Sequence, residues 1–359
     1  MKERCLIVSS LMAEHKTNYV YNMLALIKKF HANGDELVFM FPKAKTNAEW
    51  VDEIRQEGCK VYFLDYNPYS LNNVKFIKKI IKDENINIVQ SDYTGWDITV
   101  KLAKPFIPTI WYERMRVNDK DTVKKLENLI KYKIVGAFNT FSVGISDDVY
   151  HSLCNLSKES RCEKIYNAFD PSRFSLSYPK ADNDIKTYLM FSYSPKVKGT
   201  DIVCDAFEEL NRDSVKARLI IVSHGINDDY LNGRYKQTPE WLTVEKPRSD
   251  VEYYYSRADS FISASRSEGF SYALLEAVYM GMGCIASDIP GTAWSERFKG
   301  VRYFRSGDSA SLLEALKKDI DCNINKEDAE FNRQKILTDF SFENWVEQVY
   351  ALHKKVLNR

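Results

Sequence analysis

Two rounds of strand–helix alternation, separated by a polar irregular stretch, predict an α/β fold of two Rossmann-like domains, each on a parallel sheet. Three observations carry this. The 359 residues exceed one ordinary core and suit two domains. Apolar runs of strand length are each followed by a helical stretch long enough to be a crossover, which parallel strands require. Residues 168–185, with Pro171, Pro179 and Ala181-Asp182-Asn183-Asp184, break the pattern as a linker does. The expected division is therefore a first domain over 1–167, a linker over 168–185, a second domain over 186–340 and a last helix over 341–359.

In the first domain, Leu6–Ser10 reads as a strand and Tyr19–Phe30 as a helix, with Leu24, Ile27 and Lys28 at turn spacing. Glu36–Phe41, Lys60–Leu64, Ile86–Ser91 and Thr109–Tyr112 follow as strands, interleaved with helices over Asn47–Glu57, Asn73–Asp83 and Gly95–Lys104. Val143–Ser146 (strand), Asp147–Leu153 (helix) and Lys164–Tyr166 (strand) complete it. In the second, Lys186–Ser192, Arg218–Ser223, Trp241–Val244, Asp259–Ser263 and Cys284–Ser287 read as strands. Asp201–Leu210, Asp250–Arg257 and Ser271–Met280 read as helices, and Lys326–Asn358 as mostly helical.

Composition excludes some functions. Lys and Arg total 51 against 50 Asp and Glu, so overall charge gives no basis for nucleic-acid binding. No apolar run approaches the roughly 20 residues of a membrane-spanning helix. The first apolar run is of strand length and lacks a small-residue cleavage site, so it reads as a buried strand and not a signal peptide. The seven cysteines are scattered, which fits reduced thiols and a cytoplasmic location.

The densest signal is Ser265-Arg266-Ser267-Glu268-Gly269-Phe270-Ser271-Tyr272-Ala273-Leu274-Leu275-Glu276-Ala277. It follows a strand and opens a helix. Gly269 permits close backbone approach, and the free N–H groups and dipole of a helix start favour an anion. Glu276 falls in the apolar stretch Ala273–Val278, where a carboxylate needs a partner. Ribose hydroxyls of a nucleotide would serve, as would a structural Lys or Arg.

Glu268 and Glu276, with seven residues between, resemble the paired-glutamate motif of the family 4 retaining glycosyltransferases, which have the GT-B fold. Other segments resemble that family in order: Lys164–Phe174 its domain junction, Lys198-Gly199-Thr200-Asp201 its K-G-x-[DE] loop, Gly281–Gly291 its glycine-bounded strand, and Phe340-Ser341-Phe342-Glu343 the start of its last helix. The resemblance implies two sheets facing a central cleft and a last helix that returns to the first domain. It implies that Lys198 binds the donor diphosphate, Glu268 the sugar hydroxyls and Glu276 the ribose. Gly269, Phe270 and Ser271 would offer backbone N–H groups, and Arg266 further charge.

The sequence departs from the pattern in three places. Tyr193 stands where the family usually has an Arg, five residues before Lys198; Lys196, Arg257 or Arg266 would have to supply the second cation. The loop Leu11–Asn18 lacks the usual glycines, which leaves His15 as an acceptor-side candidate or an incidental surface histidine. No His follows Trp111-Tyr112, so Asp92 or Glu113, each at a strand end, is the alternative contact for an acceptor hydroxyl, unless they are helix caps or ion pairs. His224, after the strand Arg218–Ser223, is a candidate for base or phosphate contact.

The activity so implied is transfer of a sugar from a nucleotide diphosphate, UDP being one candidate, to a hydroxyl on a glycan, lipid-linked glycan or polymer. Retention at the anomeric carbon would follow a front-face route in which the leaving phosphate takes the acceptor proton. No cofactor or metal is expected: Asp119-Lys120-Asp121 and Asp182-Asn183-Asp184 match a D-x-D pattern but lie in polar connections. Arg114–Lys133 interleaves lysines with Leu126, Leu129 and Ile130, which suits either contact with the inner face of a membrane or a solvated helix with its apolar stripe buried. Two rival readings share the fold: a nucleotide-sugar epimerase, and a non-catalytic nucleotide-sugar-binding partner, the latter favoured by Tyr193 and the glycine-poor first loop.

Overall fold

The computed structural model describes residues 2–13, 16–65, 67, 70–92, 95–117, 122–174, 183–248 and 250–358. The chain divides into two compact units, Met1–Asp170 with Phe340–Arg359, and Pro171–Asp339.

The first unit holds seven parallel strands: β1 Arg4–Ser9, β2 Glu36–Pro42, β3 Lys60–Leu64, β4 Ile88–Asp92, β5 Thr109–Glu113, β6 Thr140–Gly144 and β7 Cys162–Lys164. Their order is β3-β2-β1-β4-β5-β6-β7. The second unit holds β8 Thr187–Ser192, β9 Arg218–Ser223, β10 Leu242–Glu245, β11 Ser260–Ser263, β12 Gly283–Ser287 and β13 Val301–Phe304, in the order β10-β9-β8-β11-β12-β13. Both are doubly wound sheets, with their strand order reversing between β1 and β4 and between β8 and β11.

The physical cause is the run of apolar residues in each strand. Cys5, Leu6, Ile7 and Val8 are all at most 1% exposed, as expected of strands covered by helices on both faces. The helix Asn18–Ala32 buries Tyr19, Val20, Met23, Leu26, Ile27 and Phe30. Its core face is thus turned from the Leu24–Ile27–Lys28 line, because the pairs 19/20, 23, 26/27 and 30 fit the 3.6-residue repeat better.

Several boundaries move for local reasons. Asn85 takes a positive φ of 52° after the helix Leu71–Asp83, which delays β4 to Ile88 and carries it through Asp92. Asn139 has the same φ and starts β6 at Thr140. Ser146 is not strand: its hydroxyl accepts the Val149 N–H and caps the helix Asp147–Cys154.

The helix Phe342–Leu357 packs within the first unit. Trp345 Nε1–H donates to the Tyr112 hydroxyl (3.2 Å), Tyr350 donates to Asp35 (2.7 Å), and the fully buried His353 bridges Glu3 and Gln90, both at 2.7 Å. Phe340 C=O accepts the Phe169 N–H at 2.9 Å, so Ala168 and Phe169 are buried in the first unit. Phe174 is buried in the second, against Tyr255 and Tyr279. Much of the expected linker, 175–182, lies outside the described residues. Among the described residues no helix is long and apolar enough to cross a membrane.

Candidate functional site

The second unit contains a cavity of about 300 Å³ at the carboxyl ends of β8, β9 and β11, where the strand order reverses. Doubly wound sheets bind ligands at this place because diverging crossovers open a crevice there. Three connections build it, and each follows from its sequence.

After β8, the Ser194 hydroxyl accepts the Val197 N–H and Pro195 takes the first helical position, giving the short helix Pro195–Lys198. Gly199 ends it at φ 73° and passes the chain into the helix Thr200–Leu210. A Cβ on Gly199 would lie 2.1 Å from the Ala264 carbonyl, so only glycine lets the two connections touch. Lys198, on the last turn of that short helix, thereby meets the connection after β11. Its Nζ is 2.6 Å from Glu268 Oε1, which also accepts from the Ser265 hydroxyl at 2.5 Å. Gly291 braces the loop from the other side, with a Cβ position 2.2 Å from the Glu268 carbonyl. Ser287 Oγ donates to Ser265 C=O at 2.6 Å.

The helix Tyr272–Tyr279 starts at the cavity, with Ser271 and Ala273 in the lining. Ser271, its N-cap residue, makes no side-chain cap bond to the helix. The start of this helix therefore offers backbone N–H groups and the positive end of its dipole to the cavity. At the other end His224 follows β9, and Pro247, Arg248 and Val251 follow β10. The Tyr193 ring joins the two halves: Lys198 Nζ is 5.2 Å from its centroid, and the His224 ring is 6.2 Å away. Lys198 and Arg248 are cationic and Glu268 is the one carboxylate among the lining residues.

Of the donor-side candidates, the cavity lining gathers Lys198, Glu268, Ser271, Tyr193 and His224. Glu276 lies one turn further along the helix and is 8% exposed. Its Oε2 accepts the Tyr255 hydroxyl at 2.8 Å, and Arg173 Nη1 is 3.7 Å from its Oε1. Burial and then the Glu276 charge push the Tyr255 phenol well above its ordinary pKa, so it stays a donor. Phe270 stacks on Trp294 with centroids 5.0 Å apart, which makes its side chain core. Gly269 is buried beside it.

Lys196 and Arg266 converge elsewhere. Arg266 makes a bidentate pair with Asp201 (2.8 and 3.0 Å), and Lys196 Nζ is 2.8 Å from the same carboxylate. Burial works against the Asp201 charge, but these two cations outweigh it and hold its pKa below the ordinary value. Arg257 pairs with Glu245 at 2.5 Å. The second cation of the lining is instead Arg248, which the sequence reading passed over; its guanidinium also pairs with Asp250 through two 2.8 Å bonds. In the sequence Arg173 belongs only to the junction pattern Lys164–Phe174. A basic residue at the start of the second unit gave no signal of pairing with Glu276.

In the first unit, Asp92 and Glu113 end β4 and β5 and take the ion-pair alternative. Asp92 is 2% exposed, pairs with Arg114 at 3.0 Å and accepts from Gln90 at 2.7 Å; burial nonetheless raises its pKa. Glu113 accepts from Lys131 (2.7 Å) and the Tyr132 hydroxyl (2.6 Å). Burial disfavours the Lys131 charge, yet Asp97 at 2.6 Å and Glu113 together raise its pKa. His15, Asp119–Asp121 and Asp182 lie outside the described residues. Among the described residues, Glu3, Cys5 and His353 are grouped closely enough to share a metal ion, but His353 already bridges Glu3 and Gln90, and Glu3 also pairs with Lys354 at 3.0 Å.

The two doubly wound units define a GT-B type fold, and comparison with solved structures agrees. A glycosyltransferase from Rickettsia africae superposes with TM-score 0.80 at 18% identity, over 99% of each chain. Anabaena HepE, solved with UDP and glucose, gives 0.75 at 14% identity, over 97% of this chain and 98% of that one. Sucrose-phosphate synthase from Thermosynechococcus elongatus gives 0.78 at 14% identity, over 99% and 100%. More particularly, residues 186–321, within the second unit, match the family described as Glycosyl transferases group 1. Alpha-monoglucosyldiacylglycerol synthase of Streptococcus pneumoniae is 28% identical over 179 residues, covering 47% of this chain and 38% of that protein.

Proposed function

We propose that this protein is a retaining glycosyltransferase that takes a sugar from UDP and transfers it to a hydroxyl. The observation that carries the reading is the Lys198–Glu268 pair beside an uncapped helix start, in a cavity at the strand-order reversal of the second sheet. An ammonium and helix N–H groups suit a diphosphate, and a carboxylate beside them suits sugar hydroxyls. That HepE was solved with UDP-glucose supports UDP as the nucleotide. The neighbouring Tyr193 and His224 rings, tilted to one another, form with Pro247 and Arg248 the end suited to the base. Glu276, held ready by Tyr255, is proposed to receive the ribose hydroxyls.

In the proposed reaction the bond from the anomeric carbon to the β-phosphate oxygen breaks as the acceptor oxygen bonds to the same face. The acceptor proton passes to the departing phosphate oxygen. Lys198 and the helix start stabilise the charge that develops there, so no resident cofactor is invoked. The name of the pneumococcal relative supports a lipid-borne hydroxyl as acceptor, and polysaccharide or glycoconjugate assembly remains the broader context. The test is incubation with UDP-sugars and candidate acceptors, with the product anomer read by NMR. An α-linked product from an α-linked donor is expected; an inverted product would overturn the mechanism.

One observation favours a second reading, a non-catalytic UDP-sugar binder. Tyr193 replaces a cation, and the Arg248 guanidinium is engaged by Asp250. Tight UDP binding with neither transfer nor donor hydrolysis would select that reading.

A further inference from the structure

The first unit presents an apolar surface bordered by lysines. In the helix Thr122–Leu129 and the π-helical turn Ile130–Ile134, the aliphatic residues Leu126, Leu129, Ile130 and Ile134 face outward, Leu126 being 58% exposed and Ile134 59%. Inward-facing positions are taken by Tyr132 and by Lys131, which is anchored to Asp97 and Glu113. The apolar stripe of this segment is thus not core. Phe138 continues the surface and meets Phe106 edge to face, with centroids 5.5 Å apart; Phe106 is 71% exposed. Lys101 fastens the two segments together by donating to the Ile107 and Phe138 carbonyls at 2.9 and 2.6 Å.

Beside Phe106 runs a groove of about 650 Å³, between the ends of the packed helices Leu71–Asp83 and Asp97–Ala103. Lys78, Lys82 and Lys104 line it, over Ile81, Ile86 and Pro105, with no acidic residue in the lining among the described residues. None of the three lysines has an ion-pair partner among the described residues. What sets these three apart from other surface lysines is their place, together in one groove and next to an exposed phenylalanine.

We propose that this face docks on an anionic lipid surface, with Phe106, Phe138 and Ile134 entering the headgroup boundary and Lys78, Lys82 and Lys104 meeting lipid phosphates. Protein interfaces deplete lysine from around their apolar centre, whereas a lipid surface rewards apolar side chains and unpaired cations together. Each lysine near such a surface is worth about fivefold in partitioning. All the residues involved lie in the first unit, so the inference does not rest on the donor site.

The test uses the full chain in flotation with vesicles of phosphatidylcholine alone and of phosphatidylcholine with phosphatidylglycerol. Binding is expected only to the anionic vesicles, weakening with salt. K78Q/K82Q/K104Q should bind at least tenfold more weakly, and F106S/I134S should also lose binding, both with unchanged UDP affinity. If F106S/I134S unfolds, the lysine variant decides alone, since its three positions are at the surface. Failure to bind anionic vesicles, or binding that both variants leave intact, would overturn the proposal. So would a dimer of the wild type that F106S/I134S dissociates without any vesicle binding, which would make the face an interface between two copies.

Discussion

The Lys198 ammonium lies 2.6 Å from Glu268 Oε1, although the two residues are 70 positions apart in the chain. The pair exists because Gly199 and Gly291 let three connections crowd together at one edge of the sheet. The pair neutralises a partly buried carboxylate while no ligand is bound, and gives a phosphate a cation to take over.

Replacing Lys198 with Ala should lower transfer by about 10²–10³-fold, the usual loss when one preorganised charge contact to a developing anion is removed. Glu268 keeps its bond from Ser265, so the melting temperature should change little. Steady-state rates and a melting curve on the same preparation check both halves. Normal turnover would remove Lys198 from the reaction.

Gly199→Ala and Gly291→Ala should separate stability from binding. Gly199 holds φ at 73° and its added methyl would meet the Ala264 carbonyl, so strain and overpacking should cost roughly 2–4 kcal/mol. The Gly291 methyl would press on the Glu268 carbonyl itself. That variant should weaken UDP-sugar binding by more than its loss of stability alone explains, as calorimetry at a temperature well below melting would show.

Tyr255→Phe removes the hydroxyl that Glu276 Oε2 accepts. A hydrogen bond to a buried charge is worth about 1.5–3 kcal/mol, so denaturant unfolding should shift by that order. Ribose recognition should weaken too, with UDP losing more affinity than inorganic diphosphate, which has no ribose.

The Asp201 cluster makes stability fall in acid. Burial opposes the Asp201 charge, and the bonds from Arg266 and Lys196 more than offset it, so the folded pKa is below the unfolded value of about 3.9. Its contribution is fully present above that unfolded value and disappears as pH drops through the folded one. Asp201→Asn should therefore melt lower than wild type at pH 7, with the gap closing in strong acid. A constant gap across the titration would show that the cluster contributes through packing and not charge.

Much of the fold was legible because parallel strands write themselves as apolar runs: Arg218–Ser223, buried from Leu219 on, is a strand over the range its apolar run marks, and so is the half-exposed edge strand Lys60–Leu64. Elements with weak patterns were not. The helix Ile226–Arg234 buries only Asn227 and Leu231, so it carries no apolar stripe, and β13 is a half-exposed edge strand. At the site, the spacing of Glu268 and Glu276 was visible, but their partners were not. Tyr255 and Arg173 reach Glu276 through tertiary contacts that no local spacing records. Arg248 was overlooked because it stands in a short polar connection, and its place in the cavity depends on β10 lying beside β9. The same limit applied to Asp92 and Glu113: a carboxylate at a strand end reads alike whether it faces a ligand or a basic side chain, here Arg114 and Lys131.

The central claim, a UDP-sugar site at the carboxyl edge of the second sheet, is tested most directly by calorimetric titration of UDP into the wild type and into Lys198→Ala and Glu276→Ala. The expected result is one site per chain, at least tenfold weaker in either variant, with the wild type stabilised by roughly 2.7 kcal/mol at 100 times its dissociation constant. No binding of UDP to the wild type, or equal affinity in all three proteins, would contradict it.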